Sequence, residues 1–214
     1  MGIGQPWSQQ AEAEAEALRH LGTPKNTQYS TLMSFRKNDL VGWEQFCYKR
    51  MEFDYLTEVE AYQRLQLFQG RHIPMFYGEA KLITTDVTRA IIPRAILIEY
   101  IPDAIPLHNM NKDSISLTLA KSFLEILKEF HARGVVHNDL NYGNILVCRS
   151  ENGQARAFII DFEHPCLRES NSDAEWADIV HQLGDTRFML GLLQESLGIE
   201  DVSSFIGEAI DINS

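Results

Sequence analysis

The sequence predicts an α+β protein, and three observations predict it. Short β-rich segments stand before and after one helical segment in the first hundred residues. A long amphipathic helix then covers residues 114–132. Two short apolar strands and two further helices follow it. With 214 residues, of which 44% are hydrophobic, the chain can form one large domain or two small lobes around a core.

The first hundred residues supply an N-terminal helical arm, several strands and one further helix. Residues 9–21 are strong helix formers that stop at Gly22, and their polarity predicts a surface arm anchored through Leu18 and Leu21. Residues 29–51 alternate or are rich in aromatic residues, which predicts strands. Residues 55–68 predict a helix that Gly70 closes, and two β-rich runs follow it. The apolar face of that helix consists of Leu56, Val59, Tyr62 and Leu65.

The second half begins at a hinge bracketed by Pro102 and Pro106. The helix at 114–132 leads to the apolar segments NILV and AFIID, which a hairpin at Asn152-Gly153 joins. Ser172 and Glu175 form a capping box before a helix, and a last helix covers 186–197.

Chemistry is concentrated in the segments VVHNDLNYGNILV and FIIDFEHP. Asp139 follows His137 by two residues, Asn144 follows Asp139 by five, and Asp161 ends the next strand. A strand–loop–strand unit of this kind brings Asp139, Asn144 and Asp161 near one point. Two hard oxygen ligands beside a free carboxylate suit Mg²⁺ bound partly through phosphate oxygens, and they also suit a base that accepts a hydroxyl proton.

These segments resemble the catalytic loop and metal-binding motif of the protein-kinase-like superfamily, most of all its aminoglycoside/choline phosphotransferase branch and the kinase-like proteins of fungi. The resemblance implies a bilobal fold, with a small antiparallel N-lobe sheet carrying one helix and a shortened, mostly helical C-lobe. It divides the chain into an N-terminal helical arm at 1–24, an N-lobe at 25–101 and a C-lobe at 102–214. It further implies that Asp139 is the catalytic base, that Asn144 and Asp161 hold Mg²⁺ on ATP, and that His137 packs the loop.

Weaker matches extend the resemblance upstream. FCYK places Lys49 at the position of the strand lysine that contacts the phosphates, and Glu58 at the position of the helix glutamate that pairs with it. Glu60 is the alternative to Glu58. The backbone around Glu99, Tyr100 and Ile101 would bind adenine.

The sequence also departs from the family pattern. Asn138 replaces the loop arginine, Glu163 replaces the glycine after Asp-Phe, and residues 30–45 hold one glycine where a phosphate-covering loop is glycine-rich. Arg36 and Lys37 are candidates to replace that loop with side-chain charge. These departures leave two hypotheses. The first is an ATP- and Mg²⁺-dependent phosphotransferase acting on a hydroxyl of a small molecule. The second is a pseudokinase-like binding or regulatory module without turnover.

Composition narrows the partners and the compartment. With 19 basic and 30 acidic residues the net charge is −11, so a bulk attraction to nucleic acid or anionic membranes is not expected. Three cysteines without C-x-x-C spacing favour a reduced, cytoplasmic compartment. No apolar run has the length of a membrane span. The short C-terminal part leaves room for a protein partner that completes the acceptor site.

Overall fold

The computed structural model describes residues 7–21, 39–83, 89–111, 116–149 and 155–197. In these ranges five helices and seven short strands are formed. The helices are α1 (Gln9–His20), α2 (Leu40–Arg64), α3 (Leu117–Ala132), α4 (Asp173–Leu183) and α5 (Asp185–Leu197). The strands are β1 (Phe76–Lys81), β2 (Arg94–Ile98), β3 (Ile105–Pro106), β4 (Val135–Val136), β5 (Ile145–Arg149), β6 (Ala155–Ile159) and β7 (Cys166–Leu167). The predicted α+β class is therefore confirmed.

The chain divides into two compact units. The first comprises described residues of Met1–Leu56 and Glu79–Ile96, and the second comprises those of Thr57–Gly78 and Leu97–Ser214. Helix α2 and the β1–β2 sheet each have residues in both units. The lobe boundary predicted between residues 101 and 102 stays a prediction.

In the first unit, α1 is held by a buried carboxylate. Glu12 is fully buried and accepts hydrogen bonds from the Trp7 indole at 2.8 Å, from the Arg89 guanidinium at 3.0 Å and from the Ile91 N–H at 3.2 Å. The predicted anchors are wrong, since Leu18 and Leu21 are 40% and 80% exposed. This helix is held by a face of alanine and glutamate residues. The small alanine side chains allow close approach, and the Glu12 carboxylate accepts hydrogen bonds from charged and neutral donors.

The first half of helix α2 was wrongly predicted as strand, which is the largest difference between the sequence prediction and the structure. Residues 40–51, predicted as strand, form the first half of a 25-residue helix that continues through the predicted helix at 55–68 as far as Arg64. The helix starts where the Asp39 carboxylate accepts the N–H of Gly42 at 2.7 Å. A capping carboxylate satisfies a backbone donor that the first helical turn leaves unpaired. Residues 29–38, including Arg36 and Lys37, lie outside the described residues.

The predicted apolar face of the 55–68 segment is confirmed at Val59, Tyr62 and Leu65, which are buried, whereas Leu56 is 52% exposed. Beyond α2 the chain forms a short 3-10 turn at Gln66–Phe68 and reverses at Gly70, which has φ of 70°. Glycine adopts this left-handed conformation without steric cost. The predicted strands after Gly70 are confirmed as β1 and β2, which pair with each other.

The core of the second unit lies between α3 and a three-stranded sheet in the order β3–β5–β6. Strands β5 and β6 are antiparallel, with Ile145 opposite Ile159. The side chains of Phe123, Leu127 and Phe130 on α3 are fully buried, as are those of Ile145 and Ile159. The hairpin predicted from NILV and AFIID is confirmed in its strands, and its turn at Asn152-Gly153 lies outside the described residues.

Side-chain caps begin two helices of this unit, and the one at α4 was predicted. Ser116 caps α3, and the capping box of Ser172 and Glu175 at the start of α4 is formed in both directions, at 3.3 and 2.8 Å. The last predicted helix, at 186–197, is confirmed as α5. In the ranges that the structure describes, no helix is both long enough and apolar enough to cross a membrane.

Candidate active site

The loop between β4 and β5 is built around His137, which is fully buried. Its Nε2 lies 2.9 Å from the carbonyl oxygen of Ile160, and its Nδ1 lies 3.3 Å from the N–H of Asp139. A carbonyl only accepts and an N–H only donates, so Nε2 carries the proton and the ring is neutral. Burial lowers the pKa of His137, which agrees with a neutral ring. His137 therefore shapes the loop, as the sequence predicted.

A buried carboxylate from α5 fixes the same loop. Asp185 is 3% exposed and accepts the backbone N–H of His137 at 2.7 Å and that of Asn138 at 3.0 Å. Asn138 has φ of 64°, a left-handed conformation that asparagine tolerates better than most residues. Its side-chain amide donates to the carbonyl oxygen of His164 at 3.1 Å. Asp185 thus sets the backbone direction immediately before Asp139, whose side chain is exposed.

Two asparagines order the rest of the loop. The Asn141 side-chain oxygen accepts the N–H of Gly143 at 2.8 Å and that of Asn144 at 3.2 Å. The amide nitrogen of Asn144 donates to the carbonyl oxygen of Asp139 at 3.0 Å. Because this bond commits the nitrogen, Oδ1 of Asn144 is the atom left to accept from, or bind to, a ligand. The side chain of Asn144, the first predicted metal ligand, is therefore hydrogen bonded to the backbone of Asp139, the predicted base.

The second predicted ligand lies at the same end of the hairpin. The N–H of Ile160 donates to the carbonyl oxygen of Asn144 at 3.0 Å, so Asp161, the next residue, leaves β6 beside Asn144. Asp161 has φ of 69°, the left-handed region that costs a non-glycine residue energy. Its side chain is exposed. The structure thus brings Asp139, Asn144 and Asp161 to one place, as the spacing predicted.

The donor set suits a hard divalent cation. It offers the amide oxygen of Asn144 and the carboxylate of Asp161, and Mg²⁺ prefers such oxygen ligands and keeps several waters or phosphate oxygens as the remainder. The hydrogen bond from Asn144 to the carbonyl oxygen of Asp139 fixes the side-chain amide and leaves its oxygen as the acceptor atom. The residues present therefore fit Mg²⁺.

Helix α2 adds Glu58 to the same acidic surroundings. Burial, and then the carboxylates of Asp161 and Glu163, raise the pKa of Glu58 to about 7. Among the described residues, the charges that raise the pKa of Glu58 are these two carboxylates. Glu60, the alternative in the sequence reading, is exposed and pairs with Arg64 one turn along the helix. Of the two glutamates, Glu58 is the one beside the candidate site.

A column of rings connects the helix, the sheet and the loop. Tyr62 stacks on Phe76 with 5.5 Å between centroids, and its other side meets Phe162 edge-on at 5.5 Å. Phe162 in turn contacts the ring of His137 at 4.8 Å. Aromatic pairs at these separations attract each other beyond the area they bury. Phe162 directly follows Asp161, so the column holds the metal-ligand segment against α2.

Lys49 is not on a strand, and that prediction is wrong. It lies on the exposed side of α2. It stands nine residues before Glu58 on the same helix, which corresponds to about 13 Å along the axis and opposite sides of it. The helix therefore cannot bring the two side chains into an ion pair. A nucleotide contact by Lys49 stays a prediction.

The predicted adenine-binding segment follows β2. The N–H of Glu99 donates to the carbonyl oxygen of Met75 at 2.8 Å, and the N–H of Met75 donates to the Glu99 carboxylate at 3.0 Å. Tyr100 is 84% exposed. The Glu99 N–H is therefore committed to the sheet. Adenine binding by Glu99, Tyr100 and Ile101 stays a prediction.

Sequence reasoning missed Asp185 and the phenol of Tyr62. Asp185 acts across 48 residues of sequence, and no local motif reveals such a contact. Its signal was its place at the first position of a helix after Gly184, where a carboxylate is expected to serve only the helix itself. The spacing of apolar residues predicts that Tyr62 lies on the buried face of the helix, but it does not predict what the Tyr62 hydroxyl contacts.

Fold and site together define a kinase-like phosphotransferase. Residues 51–195, 145 of the 214, match the sequence model of the lipopolysaccharide kinase (Kdo/WaaP) family. The chain therefore belongs to the lipopolysaccharide kinase (Kdo/WaaP) family.

The similarity to one solved structure, the Rio2 kinase, shows the fold. The Rio2 kinase of Chaetomium thermophilum, solved as an ADP/Mg²⁺-phosphoaspartate complex, is 13% identical with a TM-score of 0.51. That match covers 85% of this chain and 48% of the Rio2 chain. WaaP in complex with acyl carrier protein is 14% identical with a TM-score of 0.42, and the match covers 71% of this chain and 69% of WaaP. No curated protein matches the sequence. The predicted kinase-like fold is confirmed.

Proposed function

We propose that this protein transfers the γ-phosphoryl group of ATP, bound with Mg²⁺, to a hydroxyl of a small molecule. One observation carries the proposal: the side-chain amide of Asn144 donates to the backbone carbonyl oxygen of Asp139 at 3.0 Å, and the N–H of Ile160, the residue before Asp161, donates to the carbonyl oxygen of Asn144 at 3.0 Å, so the three residues lie close together at one end of the β5–β6 hairpin. This is the donor set that phosphoryl transfer needs for a base and a metal–phosphate cluster.

In this mechanism the chain contributes positioning and one proton acceptor. Asp139 accepts the proton of the acceptor hydroxyl while the new oxygen–phosphorus bond forms and ADP leaves. Asn144 and Asp161 would hold Mg²⁺, which supplies positive charge to the phosphate oxygens when it is bound. His137 and Asp185 keep the Asp139 backbone in place through the hydrogen bonds at 3.3, 2.7 and 3.0 Å. A fixed base needs no rearrangement when the acceptor arrives.

The acceptor follows from the family more than from the site. Membership of a lipopolysaccharide kinase family supports a sugar hydroxyl as the acceptor. The aminoglycoside or choline-type acceptor that the sequence suggested stays a prediction, which the net charge of −11 favours in so far as it attracts cations. A protein partner that completes the acceptor site likewise stays a prediction.

The test compares the protein with its Asp139→Asn variant. We expect Mg²⁺-dependent turnover of ATP in the presence of a sugar-acid or aminoglycoside acceptor, and we expect the variant to lose it. Removal of a general base costs about 10²–10⁴-fold. Nucleotide binding, measured by calorimetry, should remain, because Asp139 does not hold the nucleotide. Equal turnover by the two proteins contradicts the proposal.

A binding module without turnover is the second candidate. Its support is that the charges acting on Glu58 are carboxylates, where a catalytic site of this fold would pair that residue with a lysine. Nucleotide at about 100 times its Kd should raise the free energy of unfolding by about 2.7 kcal/mol. A melting temperature that rises with Mg²⁺ and ATP, without turnover for any acceptor, favours the module over the enzyme.

A further inference from the structure

The hydroxyl of Tyr62 is a polar group close to Glu58 that makes no hydrogen bond with the described residues. Tyr62 is fully buried, and its hydroxyl has no hydrogen-bond partner among the described residues. A buried polar group without a partner is costly, and most such groups in native proteins bind another residue, a water or a ligand. The hydroxyl therefore indicates that something is bound beside it in the working state.

The position of Tyr62 shows which surroundings the hydroxyl belongs to. Tyr62 follows Glu58 by four residues on α2, so the two side chains lie on one face of the helix. Its ring is fixed between Phe76 and Phe162, and Phe162 directly follows Asp161. The pKa of Tyr62 is raised by burial and then by the carboxylates of Glu58 and Asp161, so both carboxylates act on the phenol.

Geometry places Glu58 close to the metal-ligand segment. Glu58 is partly buried one turn before Tyr62, and the ring of Tyr62 contacts Phe162, which directly follows Asp161. The like charges of Asp161 and Glu163 act on it as well. Lys49 is on the opposite side of the helix by its spacing. A divalent cation at Asp161 and Asn144 would neutralise the repulsion, and Glu58 would then supply a further oxygen to it.

We infer that Glu58 and Tyr62 belong to the divalent-cation site, with Glu58 as an oxygen donor beside Asp161 and Asn144 and the Tyr62 hydroxyl orienting it. The inference rests on the proposed function, since it extends the same metal site. It gives Glu58 a role toward the cation in place of a lysine pair. Tyr62 acts here as a positioning residue, because its hydroxyl reaches the cation through Glu58.

The experiment measures Mn²⁺ affinity of the full chain directly, by titration with detection of free Mn²⁺ by electron paramagnetic resonance. Glu58→Gln should weaken binding about 10- to 100-fold, the range seen when groups that orient or assist metal ligands are lost. Tyr62→Phe keeps the ring and its stacking and should weaken binding by a smaller factor. The double variant should bind no more weakly than Glu58→Gln alone, because the hydroxyl acts through Glu58.

Two matched variants serve as controls. Glu60→Gln removes a carboxylate two residues along the same helix that pairs with Arg64, and Tyr55→Phe removes a phenol that donates to Glu79 at 2.6 Å. Both should bind Mn²⁺ within twofold of the unsubstituted protein. A second readout is the melting temperature in EDTA, which Glu58→Gln should raise because it removes the repulsion. Its further rise on adding Mn²⁺ should be smaller than that of the unsubstituted protein.

Asp161→Asn separates this inference from the proposed function. If it abolishes Mn²⁺ binding while Glu58→Gln and Tyr62→Phe bind within twofold of the unsubstituted protein, the metal site stands and the inference is wrong. If Asp161→Asn itself binds Mn²⁺ normally, the proposed function has lost its metal site. Should Glu58→Gln not fold, Glu58→Asp replaces it, and unchanged affinity in Glu58→Asp and Tyr62→Phe together overturns the inference.

Discussion

The carboxylate of Asp185 accepts the backbone N–H of His137 at 2.7 Å, although 48 residues separate the two in the sequence. The contact is buried, and it joins the first residue of α5 to the loop that carries Asp139. A side chain on a late helix therefore determines the backbone geometry of the candidate catalytic loop.

Replacement of Asp185 should lower stability and activity together. Asp185→Ala leaves the buried N–H of His137 and the partly buried N–H of Asn138 without this acceptor, which should reduce the free energy of unfolding by about 2–4 kcal/mol, since a buried unpaired donor costs about 1–3 kcal/mol. Asp185→Asn retains one acceptor oxygen and should lose about half as much. Urea unfolding measures both. Asp178→Asn, on the exposed side of α4, is the control and should change stability by less than about 0.5 kcal/mol. Equal effects at the two positions would contradict the anchoring role.

His137 should make the protein less stable in mild acid. Its folded pKa is lowered by burial, so below a pH of about 6.5 the unfolded chain binds a proton that the folded chain does not. The contribution of His137 to the free energy of unfolding should therefore fall as the pH falls from about 6.5 toward the folded pKa, by at most about 1.4 kcal/mol per pH unit. His72, whose pKa burial also lowers, adds a slope of the same sign, whereas Glu58, whose pKa is raised to about 7, adds a slope of the opposite sign.

Urea unfolding between pH 5 and 8 tests the contribution of His137. The slope should decrease in His137→Gln, which retains a donor but cannot take up a proton. It should remain in His181→Gln, a substitution of an exposed histidine on α4. An unchanged slope in His137→Gln would mean that another group is responsible.

Phe162 should carry much of the stability of the second unit. It is fully buried between Tyr62, Phe130 and His137, so Phe162→Ala should cost about 3–5 kcal/mol. Phe162→Leu should cost less because it fills more of the cavity. Phe188→Ala, at a side chain that is 39% exposed, should cost less than half of the Phe162→Ala value. Chemical unfolding measures all three, and a Phe162→Ala loss no larger than that of Phe188→Ala would argue against the column.

The contact between Glu12 and the segment at 89–91 should protect that segment from exchange. Glu12→Ala removes the acceptor of the Ile91 N–H and of the Arg89 and Trp7 side chains. Hydrogen exchange at Ile91 should therefore accelerate, and the first unit should lose about 2–4 kcal/mol of stability. Glu14→Ala is the control, since Glu14 is exposed and accepts a hydrogen bond from Gln10 on the same helix. Unchanged protection at Ile91 would show that α1 is held in another way.

Short-range sequence signals predicted the position of the candidate site better than they predicted the helices and strands of the first unit. The spacing of Asp139, Asn144 and Asp161 was sufficient because a short hairpin brings the ends of its strands together, and Asn144 and Ile160 are indeed hydrogen bonded there. The box of Ser172 and Glu175 likewise predicted the start of α4 from two residues. In both cases the deciding contacts are close in sequence.

The first half of α2 shows where sequence reading failed. Its aromatic residues favour strands, but the Asp39 carboxylate at Gly42 and a run of 25 residues without proline favour the helix that forms. The strand assignment also placed Lys49 on a strand, whereas it lies on α2. Asp185 could not be found either, because its contact with His137 exists only after the second unit has folded.

The ring column has a consequence for protein engineering. Each of Phe76, Tyr62, Phe162 and His137 touches the next, so a change of volume at one position is felt at its neighbours. Combinatorial libraries that vary these four positions independently should yield few folded clones. Libraries that vary them jointly should recover variants in which a smaller ring at one position accompanies a larger one at the next.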